Sequence, residues 1–321
     1  MSRIVAVGSI NMDLVNHVAE FPLPGETIHG RGTEYMPGGK GANQAVAASL
    51  AGGNVAMIGA VGEDSFAEPL LASLRDKGVD VSGVLRKPGT SGLAFITVSD
   101  AGENQIILSE GSNGRLRPED LPAEKLAEAD AVILQNEIPW ETNLRAMEIC
   151  RTGRAKVVYN PAPVKPIPQE AYPLIDLLVV NETEAEGLSG IPVDGPEGAE
   201  KAAKELLGRG AGSVLVTLGA QGSCYLGADG VGIRTPAFPV RPVDTTAAGD
   251  TFIGALVTAE AGGMNTADAL RFASAASAIA VTRKGAQASI PAREEIERMV
   301  ASSNGHSNGH SNGHSNGHSN G

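Results

Sequence analysis

Short, nearly unbroken apolar runs alternate along this chain with Ala-rich stretches whose apolar positions recur at three- and four-residue spacing. The runs Arg3–Ile10, Val55–Val61, Ala131–Gln135, Lys156–Asn160, Leu177–Asn181 and Ser213–Leu218 read as strands buried on both faces. The stretches Ala42–Ala51, Phe66–Lys77, Asn143–Cys150, Gly198–Arg209, Thr251–Glu260 and Thr266–Thr282 read as helices. This alternation predicts an α/β fold: a doubly wound, mostly parallel central sheet with helices on both faces. Sheets of that kind bind ligands beyond the C-terminal ends of their strands. Polar residues gather at those ends, namely Asn11 and Asp13, Gln135 and Glu137, Asn160, Asn181 and Glu184, and Thr217.

Two regions break the alternation. Val15–Ala19 with Thr27–Gly30, and Gly92–Val98 with Gln105–Ser109, predict short strands of a small antiparallel sheet outside the main layer, with a turn at Asp100-Ala101-Gly102-Glu103. The expected division is a main domain from residues 1–14, 31–91 and 110–302 and a small β unit from 15–30 and 92–109. Cys224–Gly227 and Val231–Thr235 flank Asp229-Gly230 and predict a further hairpin. From Ser303 to Gly321 a Ser-Asn-Gly-His unit repeats and holds four of the six histidines. Such a segment has nothing to bury and is expected to be disordered. It reads as an appended purification segment or as a native metal-binding tail.

The 321 residues suffice for a sizeable core, and aromatics make up only 3%, so Ala, Val, Leu and Ile must fill it. A net charge of −12 argues against nucleic-acid backbones and anionic membranes as partners. Cys150 and Cys224 are far apart and lack metal-ligand spacing, as expected of buried thiols in a reducing compartment. The chain enters a strand pattern at once and holds no apolar run of membrane-spanning length, so a cytoplasmic location is expected.

Candidate chemistry concentrates in two segments. In Asp244-Thr245-Thr246-Ala247-Ala248-Gly249-Asp250-Thr251-Phe252, small residues precede an apolar helical stretch. A helix start of this kind leaves backbone N–H groups open to an anion such as a phosphate. Ala247, Ala248 and Gly249 are the candidate anion hole. Asp250 makes sense there as the base that deprotonates a hydroxyl attacking the phosphate, although Asp and Thr are also ordinary helix caps. The second segment is Pro37-Gly38-Gly39-Lys40-Gly41-Ala42-Asn43-Gln44. It is not a P-loop, because Gly41 follows Lys40, and Gln44 occupies the third glycine position of a dinucleotide fingerprint. That absence weighs against a nicotinamide oxidoreductase. Thr217-Leu218-Gly219-Ala220-Gln221-Gly222 lets the backbone approach a base or a phosphate, and it also fits an ordinary strand-to-hairpin turn.

In order and spacing, Gly38-Gly39-Lys40-Gly41-Ala42-Asn43 and Asp244 to Asp250 resemble the two signature regions of the ribokinase family of carbohydrate and nucleoside kinases. The likeness runs from about Ile4 to about Pro291 and includes Gly8 to Asp13, Asn160 to Pro163, Asn181 to Glu186 and Val281 to Gln287. The resemblance implies ATP-dependent phosphorylation of ribose at its 5-hydroxyl, with Asp250 taking the proton. Other small-sugar or nucleoside acceptors stay open: deoxyribose, fructose, a ketodeoxy sugar acid or adenosine. A sugar-responsive binding protein without catalysis is a further alternative, disfavoured because Gly249 and Asp250 are intact. The resemblance assigns Asn11, Met12, Asp13, Gly39, Lys40, Gly41, Ala42, Asn43 and Glu137 to the sugar. It assigns Asn181, Thr217 to Gly222, Gly249 and Ser274 to ATP. Glu184 would hold Mg²⁺ through water, and Asp244, Thr246, Ala280, Arg283, Gly285 and Ser289 would surround an activating K⁺. The small sheet would be a lid over the sugar and a homodimer interface.

Overall fold

A computed structural model describes residues 3–307. The first strand β1 (Arg3–Val7) leads into β2 (Asn11–Val18) and β3 (Thr33–Gly38), which leave the main layer. The chain returns through α1 (Lys40–Leu50), β4 (Asn54–Val61), α2 (Ala67–Asp76) and β5 (Asp80–Arg86). It leaves again as the hairpin β6 (Gly92–Ser99) and β7 (Asn104–Ser109). Next come α3 (Ala123–Ala127), β8 (Ala131–Gln135), α4 (Trp140–Arg151), β9 (Lys156–Asn160), β10 (Leu177–Asn181), α5 (Glu182–Ser189) and α6 (Pro196–Gly208). The C-terminal part holds β11 (Ser213–Thr217), β12 (Ser223–Gly227), β13 (Gly232–Thr235), α7 (Ala248–Ala261), α8 (Thr266–Ala280) and α9 (Arg293–Ser307).

The large sheet has nine strands in the order β13-β12-β11-β10-β9-β8-β1-β4-β5. It is parallel from β5 through β11 and antiparallel only at the β12 and β13 edge. Alternate residues of each central strand feed two cores. Ile4, Ala6, Val55, Met57 and Ile133 join the cluster under α1, α2, α7 and α8. Val5, Val7, Ile58, Val132 and Leu134 join the cluster under α4 and α6. The near-continuous apolar strands follow from this double burial. Both cores are mostly aliphatic, as the shortage of aromatics requires. Cys150 and Cys224 are buried free thiols, and burial pushes Cys150 up to about 12.

The small sheet has the order β3-β2-β6-β7. Its outer pairs are antiparallel, and its central β2–β6 pair is parallel. Several boundaries differ from those expected. β1 stops at Val7, because Gly8 begins a crossover into the small sheet, so Asn11 and Asp13 start β2 rather than end the first strand. The segment around Thr27–Gly30 forms no strand; β3 lies further on, at Thr33–Gly38. The small sheet therefore takes in residues on both sides of the expected 15–30 segment. β5 was not foreseen: an edge strand, only half-buried and lacking an unbroken apolar run, carries little pattern. The hairpin β12–β13 extends the main sheet. α9 carries through Ser307, so the repeat begins in a helix; the rest of the expected disorder lies outside the described residues.

Candidate active site

The main sheet winds outward in both directions from β1, through β4 on one side and β8 on the other. That is the topological switch point at which such sheets open a crevice. Gly8 and Ser9 leave β1 there, and Gln135 to Glu137 leave β8. α1 starts hard against this crossover. A Cβ on Gly41 would lie 2.6 Å from the Ser9 nitrogen, and one on Gly39, which has φ +91°, would lie 2.7 Å from the Asn11 nitrogen. The glycines flanking Lys40 are thus a packing requirement, whatever they do for a ligand.

One carboxylate organises this edge. Glu137 accepts from the Ser9 hydroxyl, from the Lys40 backbone N–H at 3.2 Å and from Asn11 Nδ2 at 3.4 Å. Asn11 is oriented in turn by Asn113, whose Nδ2 donates to Asn11 Oδ1 at 2.7 Å. Asp13 has a different environment. It is 8% exposed and lies over Gly38, and its carboxylate has no hydrogen-bond or ion-pair partner among the described residues. Burial first, then the charges of Glu137 and Asp250, raise its carboxyl from 3.8 to about 7. A buried carboxyl without donors has its acceptor capacity free for ligand hydroxyls.

α7 brings the second segment to the same place. Ala247 caps it with φ 58°, the left-handed region, and is the one non-glycine residue so placed among the described residues. Ala247 and Ala248 are half-buried, and Gly249 is exposed. Asp250, in the first turn, is 7% exposed. Its Oδ2 accepts from Asn43 Nδ2 at 3.1 Å and its Oδ1 from Gln44 Nε2 at 2.9 Å. Burial by itself would lower the Lys40 ammonium, but Asp250, Glu137 and Glu184 outweigh it and hold the group above its ordinary range. Glu137, Asp250 and Glu184 thus act on one lysine, with Asp13 close to Glu137 and Asp250, a surplus of carboxylates that suits a site completed by cations.

At the neighbouring strand ends, Asn181 and Glu184 form a reciprocal capping box at the start of α5, at 2.8 and 3.0 Å. This accounts locally for both residues. Burial nevertheless raises the Glu184 carboxyl, with Asp250 contributing and the Asn181 N–H, Lys40 and Asn160 opposing. Thr217 ends β11, and Gly219 to Gln221 make a single 3₁₀ turn whose Gly219, Ala220 and Gln221 are exposed. A Cβ on Gly222 would lie 2.0 Å from the Thr235 carbonyl oxygen, so this glycine serves hairpin closure. Ser274 is buried on α8, and its hydroxyl lies 3.4 Å from the Pro236 carbonyl oxygen.

Ahead of the candidate anion hole in the chain, Asp244 ties two loops together, accepting from the Thr246 N–H at 2.9 Å and the Gly285 N–H at 2.8 Å. Those bonds help hold its carboxyl below the usual range against the opposing effect of burial. Ala280 and Ser289 are buried, with the Ser289 hydroxyl donating to the Ala286 carbonyl. Arg283 pairs with Glu295 rather than facing the loop alone. No group of three or more His, Cys, Asp and Glu among the described residues is arranged to hold a metal by itself.

Sequence reasoning marked Gln135 as a polar strand end but missed the rest of the shell beneath these residues: Ser9, Gln44 and Asn113 are, like Gln135, buried and hydrogen-bonded into the site. Buried amides among small apolar neighbours were the available signal.

A family model for pfkB family carbohydrate kinases matches residues 1–293. The ribokinase of Haemophilus influenzae is 40% identical over 295 residues, 91% of this chain and 96% of the relative. The deoxyribokinase of Salmonella typhimurium is 35% identical over 302 residues, 93% of this chain and 98% of the relative. Among solved structures, the Arabidopsis thaliana ribokinase complexed with ribose and ATP superposes with a TM-score of 0.88 at 32% identity, covering 93% of this chain and 98% of that one. With that family model spanning nearly all the described residues, and with the α7 N-terminus and the glycine-flanked Lys40 meeting at one crevice, the chain belongs to the pfkB family of carbohydrate kinases.

Proposed function

We propose that this kinase transfers the γ-phosphoryl group of ATP to the 5-hydroxyl of D-ribose. The observation that carries the reading is the meeting of the α1 and α7 N-termini at the sheet's switch point, with Asp250 between them and the unpartnered Asp13 nearby. Asp13, Asn11 and Glu137, with the Gly39–Asn43 turn, offer charged acceptors and amide donors to vicinal hydroxyls. Such a site rejects analogues that leave its polar groups unpaired. Asp250 removes the 5-hydroxyl proton as that oxygen attacks the γ-phosphorus; the bond to the bridging oxygen breaks and ADP leaves. The N–H groups of Ala247 and Gly249 face the charge on the phosphoryl oxygens, whereas the Ala248 N–H donates to the Thr245 carbonyl at 3.2 Å and shapes the turn. Thr217 to Gly222, Asn181 and Ser274 line the nucleotide side.

Glu184 and Asn181 would hold Mg²⁺, largely through its water, and the ion supplies charge neutralisation at the phosphates. The raised Glu184 carboxyl and the surplus of carboxylates fit such an ion. Asp244, with carbonyls of the loops it joins, suits K⁺, which would stiffen the anion-hole turn. The small sheet would close over ribose and pair two copies of the chain. Tyr35, Phe95 and Ile107, in one cross-strand row, are 44–70% exposed on it, an apolar surface suited to burial against a partner. A cytoplasmic location is consistent with the chain's charge. Deoxyribose is the second reading, favoured by the deoxyribokinase relative.

The test is Asp250→Asn. Phosphorylation falls by about 10²–10⁴-fold while sugar and ATP binding persist. Activity within a few-fold of the parent would remove Asp250 from the mechanism.

A further inference from the structure

Gln44 is fully buried, with no exposure to the crevice. Its Nε2 donates to Asp250 Oδ1 at 2.9 Å and lies 3.3 Å from Asn160 Oδ1. Its Oε1 accepts from Gln135 Nε2 at 2.7 Å. The Gln135 backbone carbonyl accepts from Asn143 Nδ2 at 2.7 Å, and Asn160 Nδ2 donates to the Val179 carbonyl at 3.0 Å. Both ends of the Gln44 amide are thereby specified, although the Gln135 Oε1 is buried without a partner: with Gln135 donating to its oxygen, Gln44 turns its NH₂ toward the acceptor Asp250.

The helices enforce the distance. One turn beyond Asp250, a Cβ on Gly254 would lie 2.5 Å from the Ala47 Cβ and 2.7 Å from the Gln44 carbonyl oxygen. A further turn on, the Thr258 hydroxyl donates to the Ala48 carbonyl at 3.0 Å. α1 and α7 are therefore locked at the level of the carboxylate. Asn43, which holds the other oxygen, has a buried Oδ1 without a partner and belongs to the ligand side.

We infer that Gln44 is a positioning residue for the phosphoryl-transfer base: held by Gln135, it fixes the rotation of the Asp250 carboxylate so that its Oδ2 edge meets the acceptor hydroxyl. The inference rests on the reading of Asp250 as the base. The charged groups around that carboxylate are Lys40 on α1, Asp13 on β2 and Glu184 on α5. None is altered when Gln44 changes.

The experiment compares Gln44→Met, Gln44→Glu and Asp250→Asn in the full chain, with ribose and MgATP. In Gln44→Met, kcat falls about 10- to 100-fold while the ribose KM stays within about twofold, because the misrotated carboxylate loses alignment with the hydroxyl and not the sugar's own contacts. Gln44→Glu sets a second carboxylate beside the first and lowers kcat at least as far. A Gln44 that merely filled the core would lower the melting temperature and leave kcat within about twofold of the parent, and this result would overturn the inference. Should Gln44→Met fail to fold, Gln135→Leu, which frees the Gln44 amide to rotate, gives the same split between kcat and KM; an unchanged kcat there is equally contrary. An active Asp250→Asn protein would instead dismiss the base itself, which separates the two failures.

Discussion

At the scale of residues, Asp13 trades stability for recognition. Its carboxyl rises from 3.8 to about 7 on folding, so the folded chain binds that proton more tightly than the unfolded one. Stability is therefore fully present below about pH 4 and declines as pH rises through about 7. Asp13→Asn removes this penalty. The variant unfolds at higher denaturant than the parent at pH 8 and close to it at pH 4, while the ribose KM rises about 10- to 100-fold for the loss of a charged acceptor. An unchanged KM, or destabilisation at pH 8, would contradict the assignment. Position at a predicted strand end and within a signature segment marked Asp13 and Asp250 as candidates, and the run of small residues marked Ala247. The left-handed backbone of Ala247 was not legible, because an alanine carries no mark of it; Gly39 and Gly222 do carry one.

At the scale of elements, the apposition of α1 and α7 creates the site. Their contact passes over Gly254, where no side chain fits. Gly254→Val should push the helices apart, lowering stability by about 1–3 kcal/mol and kcat with it, since the Asn43 and Gln44 amides would leave the Asp250 carboxylate. Urea unfolding and steady-state kinetics on one preparation check both. Loss of stability with unchanged kcat would separate the helix contact from catalysis. The central strands were readable almost to the residue, because burial on both faces writes an unbroken apolar run; Ala131–Gln135, Lys156–Asn160 and Leu177–Asn181 stand as expected. β3 and β5 were not, since half-exposed edge strands mix polar and apolar positions without a period. The β1 terminus was overrun because apolar Ile10 continues the pattern past Gly8 into the crossover.

At the scale of the whole molecule, the sheet order sets the crevice and the small sheet borders it. The cross-strand row Tyr35, Leu14, Phe95 and Ile107 gives that sheet an apolar face, part of it exposed. Phe95→Asp should weaken self-association at micromolar concentration, and light scattering that finds the parent monomeric and fully active would count against pairing through this sheet. Among the described residues, no helix is long and apolar enough to cross a membrane. The first signature segment was legible in the sequence because its glycines meet a packing requirement at the start of α1 that other residues cannot. Gln135 was visible as a polar strand end, but its connection to Gln44, and Asn113 altogether, stayed hidden, because only folding joins residues some 90 to 200 positions apart. The most direct measurement is kcat/KM of the purified chain with MgATP across ribose, 2-deoxyribose, fructose and adenosine, with the product's phosphate position read by NMR. The account predicts ribose as the preferred acceptor and ribose 5-phosphate as the product. Preference for another acceptor, or phosphate on a different hydroxyl, would contradict it.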